Sequence, residues 1–538
     1  MFVNKNAKFA MWFMVITLVI LGVVKFLLPI FQDRQQKETS DAQDVRGKVT
    51  LAYDDWIGYF PLTCSRMRKE MRNQGFILEA SNDGGDYPSR MKKLESGELN
   101  LSVVTVDSYV LNGASVRYPG TVIAVLDKSM GGDAMVAYTN VVSNLDSFKG
   151  PQSPNPTGYM GFPTIAYTPG SPSEHLIKSL GAHFNIPELK KLKAENKIET
   201  KDAQEALKLL KAKKVSVAVL WEPNVSKALE IQGVGKIIGT ESTARLIVDI
   251  LVVNREFSKK KPEVVDLVLK SYFRVLKFYS DNPDVLQKDI MTELKIRDQK
   301  SVKEMLNGVS WVNLSENCQE WFGITGAGQS PEQGLVDTIE STISILTDCG
   351  DFSKNPLPES DPLRIMNRQF VQQIYMRGVQ NGFTNIVASA AVGAAADATG
   401  LDKPFKAISV EQWSKLRPVG SVKVEPVKFQ SGSFDLAIEE KEKVDQVVER
   451  LKHYPAFRIL VAGHTSLSGD PSVNKELSQQ RAESVVRYLS VTYNINPNRM
   501  RAMGYGGERP LMRDQDESDR AYGYRLPRVE VLLLADSF

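Results

Sequence analysis

Acidic and aromatic side chains recur where predicted strands end, in the first two thirds of this 538-residue sequence. In open α/β sheets, the turns that follow the strands line the ligand crevice. An acid inside an otherwise apolar strand, such as Asp249, needs a partner or a ligand once it is buried. The stretches that carry such residues are DDWIGYFP (54–61), DKSMGGD (127–133), TPGSPSEH (168–175), WEP (221–223) and LIVDILVV (246–253). Together these side chains could contact a small bound molecule.

Each of these residues also has a purely structural explanation. Trp56 and Tyr59 could be core aromatics, and Asp133 could cap the turn that the paired glycines allow. Ser171 or Ser173 could be the N-cap of a helix, where free N–H groups also suit an anionic group. No nucleophile and base occur at a helpful spacing, and the four histidines lie in separate contexts, at His175, His183, His453 and His464. We therefore expect a binding protein and no enzymatic activity.

The elements that must position these residues alternate between strands and helices from residue 47 to about residue 375. KVTLAYDD (48–55) reads as a short strand and LSVVTV (101–106) as a buried one. A basic helix is predicted near 62–74, and further helices at 262–281, 284–293 and 301–307. Such alternation predicts an α/β domain with a parallel sheet.

The order of these motifs resembles the solute-binding proteins of the NitT/TauT type, which serve nitrate, sulfonate and thiamine-precursor importers. The early WIGY turn, D-K-S-x-G-G-D, SPSEHL, VAVLWEP and VDILVV carry the resemblance, which covers about 47–375. It implies a two-lobe type II periplasmic-binding fold that closes on one small molecule. The cleft residues it implies are Trp56, Asp133, Ser171, Ser173, Trp221, Glu222 and Asp249. Because this chain adds further domains, the lobes could also have kept the fold and lost the ligand.

The N-terminus carries a long apolar run. Residues 9–31 are apolar apart from Lys25, which is long enough for a helix to span a hydrocarbon core of about 30 Å. Lys5 and Lys8 precede the run, which favours an N-terminus on the inside. A cleaved signal peptide is the alternative, but the run is long for one and no A-x-A site follows. We expect an uncleaved single-pass inner-membrane anchor and tether over 1–46, with the bulk of the chain in the periplasm.

Charge and cysteine content exclude some partners. The formal net charge of +3 gives no indication of a nucleic-acid partner. Cys64, Cys318 and Cys349 have no metal-binding spacing, so we expect no metal and no cofactor. Residues 376–420 read as a linker with short helices. Its stretch TNIVASAAVGAAADATG (384–400) is too short and too rich in alanine and glycine for a second span.

The last part of the chain, 421–538, is predicted as a separate α+β domain. The pattern predicts strands at 422–429, 457–463 and 527–535, with helices at 435–452 and 474–490 between them. This order resembles the OmpA-like peptidoglycan-binding domain. The matching motifs are F-x-S-G-S-F-x-L at 429–436, V-A-G-H-T at 461–465, N-x-x-L-S-x-x-R-A at 474–482, N-R-M-R-A-M-G-Y-G-x-x-x-P at 498–510 and R-V-E-V at 528–531.

That resemblance implies a site for the diaminopimelate stem peptide of peptidoglycan. Arg481 would meet a carboxylate with forked hydrogen bonds from the exposed start of its helix, and Asn474 would fix the loop. The family's acid after G-H-T is Ser466 here, so that contact loses its charge, and Asp470 could substitute if the loop folds back. The usual N-R-R-V-E reads L-P-R-V-E, which keeps Arg528. The peptidoglycan-binding residues implied are Thr465, Ser466, Asp470, Asn474, Arg481 and Arg528.

The sequence therefore predicts a membrane-anchored envelope protein that binds a small solute and tethers to the wall. Its partners would be the peptidoglycan stem peptide, a small solute, the inner membrane and a membrane transporter or envelope complex. The alternatives are a structural tether or a stator-like or secretion-like component, in which the two lobes serve only as a protein-docking scaffold.

Overall fold

A computed structural model describes residues 45–149, 161–324, 333–380, 404–427, 429–430, 433–513 and 517–536. The predicted anchor at 9–31 and the stretch 384–400 lie outside the described residues. Among the residues that are described, no helix combines the length and the apolarity needed to cross a membrane. The three cysteines are free thiols.

The strands of the first domain form two sheets. In chain order they are β1 (Gly47–Tyr53), β2 (Phe76–Asn82), β3 (Leu101–Thr105), β4 (Gly120–Ser129), β5 (Asp133–Tyr138), β6 (Ile165–Tyr167), β7 (Lys197–Glu199), β8 (Val217–Trp221), β9 (Val234–Gly239), β10 (Val248–Asn254) and β11 (Val309–Trp311). The first sheet has the order β11-β4-β10-β3-β1-β2, and the second has the order β7-β6-β8-β5-β9. The chain thus leaves the first lobe after β4 and returns to it at β10, which gives two lobes joined by two crossings.

The helices of this domain cover the sheets. They are Phe60–Thr63, Ser65–Asn73, Tyr87–Ser96, Val106–Gly113, Pro172–His183, Pro187–Lys190, Ala203–Lys211, Asn224–Leu229, Arg255–Lys260, Pro262–Asp281, Pro283–Glu293, Gln299–Asn307, Leu314–Glu316, Gly334–Asp348 and Gln369–Gln380. Local signals set their ends. In Tyr87–Ser96, the Asp86 side chain accepts from the Ser89 N–H at the start, and Gly97 ends the helix with a φ of 79°.

The central strands β3, β4 and β10 are buried along their whole length. Continuous apolar strands of this kind are expected where helices cover both faces of a sheet. The sheets are nevertheless mixed, because β10 runs antiparallel to both β3 and β4. The predicted parallel pairing therefore holds for β1 with β2 and β3 and for β6 with β7 and β8, but not for β10. Strand alternation cannot reveal the direction in which the returning strand inserts.

The C-terminal domain has one four-stranded sheet. Its strands are β12 (Arg417–Val422), β13 (Arg458–His464), β14 (Met500–Gly504) and β15 (Arg528–Ala535), in the order β12-β15-β13-β14. Its helices are Val410–Ser414, Ile438–Lys452, Pro471–Tyr493 and Asp519–Arg525. The first strand was predicted at 422–429, but the structure places it at Arg417–Val422, where it pairs with β15.

Residues upstream of the predicted boundary at 421 belong to this domain's packing. The Phe405 ring lies beneath the Arg458 guanidinium, 5.2 Å away, and the Trp413 ring lies 5.6 Å from the same group. Arg458 is buried, and its Nη1 donates to the carbonyl of Asn498 at 2.7 Å. The segment from residue 404 onward therefore packs on the C-terminal sheet.

The C-terminal domain docks on the second lobe through backbone hydrogen bonds. The Lys423 N–H donates to the His183 carbonyl at 2.7 Å, and the Ala244 N–H donates to the His453 carbonyl at 2.9 Å. Gly420 is required at this contact, because a Cβ there would come within 3.0 Å of both Leu145 and Phe184. One part of the buried apolar residues of the second lobe forms a continuous cluster with those of the C-terminal domain, and the other part belongs to the cluster of the first lobe.

Two histidines stack at this junction. The rings of His183 and His453 lie 4.9 Å apart with an interplanar angle of 18°. His183 Nδ1 is 2.9 Å from the Tyr454 hydroxyl, and His453 Nε2 is 3.2 Å from the Ser341 hydroxyl. Burial lowers the pKa of His453 to about 4 and that of His183 well below its usual value. Both rings are therefore neutral near pH 7 and stack without repulsion.

Candidate functional site

The WIGY turn lies against two paired aspartates of the first lobe. Asp127 of β4 and Asp249 of β10 are directly opposite each other in the strand register. The Trp56 indole Nε1 donates to Asp127 Oδ1 at 2.9 Å, and the Tyr59 hydroxyl donates to Asp249 Oδ1. The predicted residues Trp56 and Asp249 are thus brought together, but through Asp127 and Tyr59, which the implied ligand set did not include. Asp127 opens the quoted stretch DKSMGGD, so its signal was present.

Burial raises the pKa values of both paired aspartates. Burial raises the pKa of Asp127 to about 7. Burial and then the charge of Asp127 raise the pKa of Asp249 well above its usual range. The donors to the pair, Trp56 and Tyr59, are neutral groups, so neither offsets two negative charges. Two adjacent carboxyls in this setting hold at least one proton between them.

Arg90 neutralises a neighbouring acid. Its side chain is fully buried, and Nη2 lies 3.0 Å from Asp54 Oδ2. Nε donates to Asp83 Oδ2 at 2.7 Å, and Nη1 donates to the Val103 carbonyl at 2.6 Å. The guanidinium is therefore committed to two carboxylates of its own lobe.

Acids from both lobes approach each other at the lobe boundary. Asp133, the first residue of β5, and Asp107, in the first turn of Val106–Gly113, are each 3 % exposed. Burial raises the pKa of both to about 7, and the charge of Asp107 further raises the pKa of Asp133. Glu174 of the second lobe acts in the same direction on Asp107. Sequence reasoning missed Asp107, although it directly follows the buried strand LSVVTV.

The helix Pro172–His183 begins at this boundary. The Ser171 hydroxyl accepts from the Ser173 N–H at 3.2 Å and donates to the Thr168 carbonyl at 2.6 Å, so Ser171 is the N-cap. The Ser173 hydroxyl donates to the Val219 carbonyl at 3.0 Å. Glu174 Oε2 accepts from the Gly170 N–H at 2.6 Å. Groups of the chain itself therefore already make these hydrogen bonds at the start of the helix.

The two lobes are in contact. The Asn112 side-chain amide of the first lobe donates to the Gly170 carbonyl of the second at 2.9 Å. The Trp56 ring packs against the segment between β4 and β5 at Gly132, where an added Cβ would come within 2.1 Å of the ring. This contact is possible only because residue 132 is glycine.

Trp221 and Glu222 lie beside Asp133. Trp221 ends β8 and is the register partner of Asp133, and the Glu222 N–H donates to the Gly132 carbonyl at 2.8 Å. The Glu222 carboxylate accepts from the Ser226 N–H and hydroxyl at 3.1 and 2.7 Å. Burial raises the pKa of Glu222. Its carboxylate is therefore directed at its own turn.

The predicted wall-binding loop connects β13 to the helix Pro471–Tyr493. The Thr465 N–H donates to the Gly506 carbonyl at 2.9 Å, which joins the loop to the segment after β14. The Asn474 side-chain amide donates to the Ser468 carbonyl at 2.9 Å, and the Ser466 hydroxyl donates to the same carbonyl at 3.4 Å. Asn474 thus fixes the loop by a hydrogen bond, and the Ser466 hydroxyl makes its hydrogen bond within the loop.

Asp470 caps the helix that follows. Its Oδ1 accepts from the Ser472 N–H at 2.8 Å, the Ser472 hydroxyl at 2.5 Å and the Val473 N–H at 3.1 Å. These hydrogen bonds lower the pKa of Asp470. The carboxylate is directed at its own helix rather than back toward Ser466.

Arg481 is buried, so its predicted exposed position is wrong. Only 7 % of the residue is accessible, because the segment that begins at Phe429 covers it. Nε donates to the Ser433 carbonyl at 3.1 Å, and Nη2 donates to the Gln430 carbonyl at 3.4 Å. This covering segment is about fifty residues away in sequence, so helix periodicity alone could not reveal it. Burial lowers the pKa of Arg481.

Arg528 closes the other side of the loop. It is the register partner of His464 in the β13–β15 pair. Nε donates to Glu530 Oε1 at 2.6 Å, and Nη2 donates to the Arg509 carbonyl at 3.1 Å. The loop, its capped helix and Arg528 therefore form one corner, whereas the hydrogen bonds of Arg481 go to the covering segment.

Residues 428–523 match the model of the OmpA family. Outer membrane porin F of Pseudomonas fluorescens is 37 % identical over 83 residues, which are 15 % of this chain and 25 % of that protein. The peptidoglycan-associated lipoprotein of Legionella pneumophila is 32 % identical over 83 residues, 15 % of this chain and 47 % of that protein. The chain spans about a quarter of the length of the first of these relatives.

Among solved structures, the periplasmic sulfonate-binding protein SsuA from Methylobacillus flagellatus KT is 14 % identical, with a TM-score of 0.44. That alignment covers 63 % of this chain and 97 % of the other. The periplasmic nitrate-binding protein NrtA from Synechocystis PCC 6803 is 10 % identical, with a TM-score of 0.45, over 64 % of this chain and 92 % of the other.

The residues that match the OmpA family, 428–523, lie within the C-terminal domain, whose four-stranded sheet runs from Arg417 to Ala535. The two sheets and two crossings of the first domain make it a two-lobe domain. The chain thus joins a two-lobe α/β domain to a C-terminal α+β domain, in which residues 428–523 match the OmpA family.

Proposed function

We propose that this chain is a cell-envelope protein that binds a small solute between its two lobes and attaches to peptidoglycan through its C-terminal domain. The match of residues 428–523 to the OmpA family carries the wall-binding part. A relative of this domain is named a peptidoglycan-associated lipoprotein, which is consistent with the same partner here. The boundary between the lobes, where buried acids and aromatics meet, supports solute binding.

The wall contact uses the corner formed by Thr465, Ser466, Asn474 and Arg528, together with Arg481. For Arg481 to meet a stem-peptide carboxylate, the covering carbonyls of Gln430 and Ser433 must share its donors or move aside. A guanidinium has five N–H donors, so it can keep a backbone contact while it binds a carboxylate.

The predicted helix at 9–31 would hold the chain in the inner membrane, with both described domains in the periplasm. A membrane transporter or an envelope complex would then be the natural partner of the lobes. Neither domain is proposed to carry out catalysis, because both folds serve binding and attachment.

Co-sedimentation of the full chain with purified diaminopimelate-type peptidoglycan tests the wall contact. We expect binding by the native chain and loss of about tenfold or more in affinity for Arg481→Ala, because a charge-assisted hydrogen bond is lost. Arg487→Ala is the matched control, since Arg487 is an exposed arginine of the same helix. Equal retention of both variants on the wall would remove Arg481 from the site.

A structural tether is the second candidate. It is favoured by the internal hydrogen bonds of Ser171, Ser173 and Glu222, which already satisfy three of the predicted ligand groups. In that case the lobes would serve as a docking scaffold for another protein. Calorimetric titration that detects no solute, together with retained wall binding, would support this candidate.

A further inference from the structure

We propose that the cleft between the lobes takes a small organic cation, with the carboxylates of Asp107 and Asp133 as its anionic contacts. This inference rests on the proposed solute-binding function and names the ligand class of that same site. Three observations support it. Acids of both lobes lie at the boundary, Arg90 and Lys178 are already paired with other carboxylates, and carboxylates occupy the first turns of the two helices that begin there.

An unpartnered carboxylate oxygen marks the site. Asp107 Oδ1 is buried and accepts no hydrogen bond from the residues that the structure describes. The other oxygen, Oδ2, accepts from the Ser108 hydroxyl at 3.3 Å, and hydrogen bonds from the Thr105 side chain and the Asp107 N–H also act to lower the pKa of this carboxyl. A buried carboxylate with an oxygen that accepts no hydrogen bond is costly, so this group favours a proton or a positively charged partner. The charge of Asp107 also raises the pKa of Asp133 in the second lobe, so the two acids add to the same requirement.

The neighbouring cations of the protein are already used. Arg90 holds Asp54 and Asp83 in the first lobe. In the second lobe, Lys178 lies 2.6 Å from Glu174 and 2.7 Å from Asp351. Each of these two cations therefore already has two carboxylate partners. Neither Arg90 nor Lys178 supplies a positive charge to Asp107 or Asp133 at the lobe boundary.

An anionic solute would find both helix starts occupied by carboxylates. Asp107 lies in the first turn of Val106–Gly113, and Glu174 lies in the first turn of Pro172–His183. The N-terminus of a helix ordinarily favours an anion. Here the Gly170 N–H donates to the Glu174 carboxylate, so the chain's own acid occupies the position that an anion would otherwise take. A nitrate or sulfonate placed at this boundary would meet like charges.

Aromatic rings complete the environment. Trp56 packs against Gly132, the residue before Asp133, and Trp221 is the register partner of Asp133. Indole faces attract cations through the ring quadrupole, most strongly when the cation is desolvated. An ammonium group could therefore exchange its water for two carboxylates and an aromatic surface, which a nitrate or sulfonate could not.

The test is isothermal titration of the full chain with choline and putrescine as cationic probes and with ethanesulfonate and nitrate as anionic probes. We expect binding of at least one cation and of neither anion. Asp107→Asn should weaken cation binding by about ten- to a hundredfold, because one charge-assisted contact is lost. Asp133→Asn provides a second variant with the same expectation. Asp284→Asn, at an exposed helical position, is the matched control and should leave binding unchanged.

The outcomes separate this inference from the proposed function. Binding of ethanesulfonate or nitrate without cation binding would overturn the inference and leave solute binding intact. Cation binding that neither aspartate variant weakens would also overturn it, because the site would lie elsewhere. If none of the four probes binds, both the cation inference and the solute-binding function fail, while wall binding is unaffected.

Discussion

Replacing Asp133 by asparagine should make the folded chain more stable at alkaline pH. Asp133 is buried at the lobe boundary, where the Ser129 hydroxyl donates to it and the charges of Asp107, Asp127 and Asp54 oppose its ionisation. Asparagine has nearly the same volume and keeps an oxygen that can accept from Ser129. It cannot ionise, so it removes only the negative charge.

The sign and size of this stability change follow from the pKa of Asp133. Burial raises the pKa of Asp133 from 3.8 to about 7, so the folded chain binds this proton more tightly than the unfolded chain. Stability present below the unfolded pKa is therefore lost as pH rises toward the folded pKa, and the loss is constant above it. A shift of about three pKa units corresponds to about 4 kcal/mol, since each unit is about 1.4 kcal/mol. This value is the largest gain that the asparagine can give.

Urea unfolding followed by tryptophan fluorescence measures the effect. Of the six tryptophans, four lie in the two lobes, at Trp56, Trp221, Trp311 and Trp321, so the signal reports mainly on them. We expect the variant and the native chain to unfold at similar urea concentrations at pH 4, and the variant to be more stable at pH 8. Asp284→Asn should show no such pH-dependent gap. A variant that is less stable at pH 8, or a gap of equal size at both pH values, would refute the buried-carboxylate reasoning.

Three further changes test other contacts. Arg90→Ala leaves Asp54 buried without its partner and should cost about 3–5 kcal/mol in urea unfolding. Tyr454→Ala removes a fully buried ring from the junction of the C-terminal domain with the second lobe and should cost about 3–5 kcal/mol, with the domain melting separately in calorimetry. Gly132→Ala places a Cβ against the Trp56 ring and should cost about 1–3 kcal/mol in urea unfolding, whereas Gly523→Ala, with nothing within 4 Å, should not destabilise.

Local patterns predicted the elements well. The helices predicted at 262–281, 284–293 and 301–307 are observed at Pro262–Asp281, Pro283–Glu293 and Gln299–Asn307. Prolines at helix starts and apolar spacing are short-range signals, so they remain readable without tertiary information. The first C-terminal strand was misplaced because its position depends on pairing with β15, more than a hundred residues later.

The candidate site was only partly predictable. Trp56 and Asp133 could be identified because turns beside strands line the crevice of an α/β sheet, and Asp249 because it interrupts an apolar strand. Asp107 was missed, because its importance arises only when the second lobe brings Asp133 near it. The burial of Arg481 could not be read from the sequence either, since a distant segment covers it.

The junction between the second lobe and the C-terminal domain determines how a mechanical load would pass through the molecule. The described chain enters the first lobe at β1, whereas the C-terminal domain shares a buried apolar cluster with the second lobe. If the proposed anchor and wall contact both hold, a pull between them that passes through the docked C-terminal domain would cross the lobe boundary, through the two crossings and contacts such as Asn112 to Gly170. The proposed solute site would then lie in series with that load. On this proposal, stretching of the envelope would act on whether the lobes stay closed, and a solute bound between them would resist their separation.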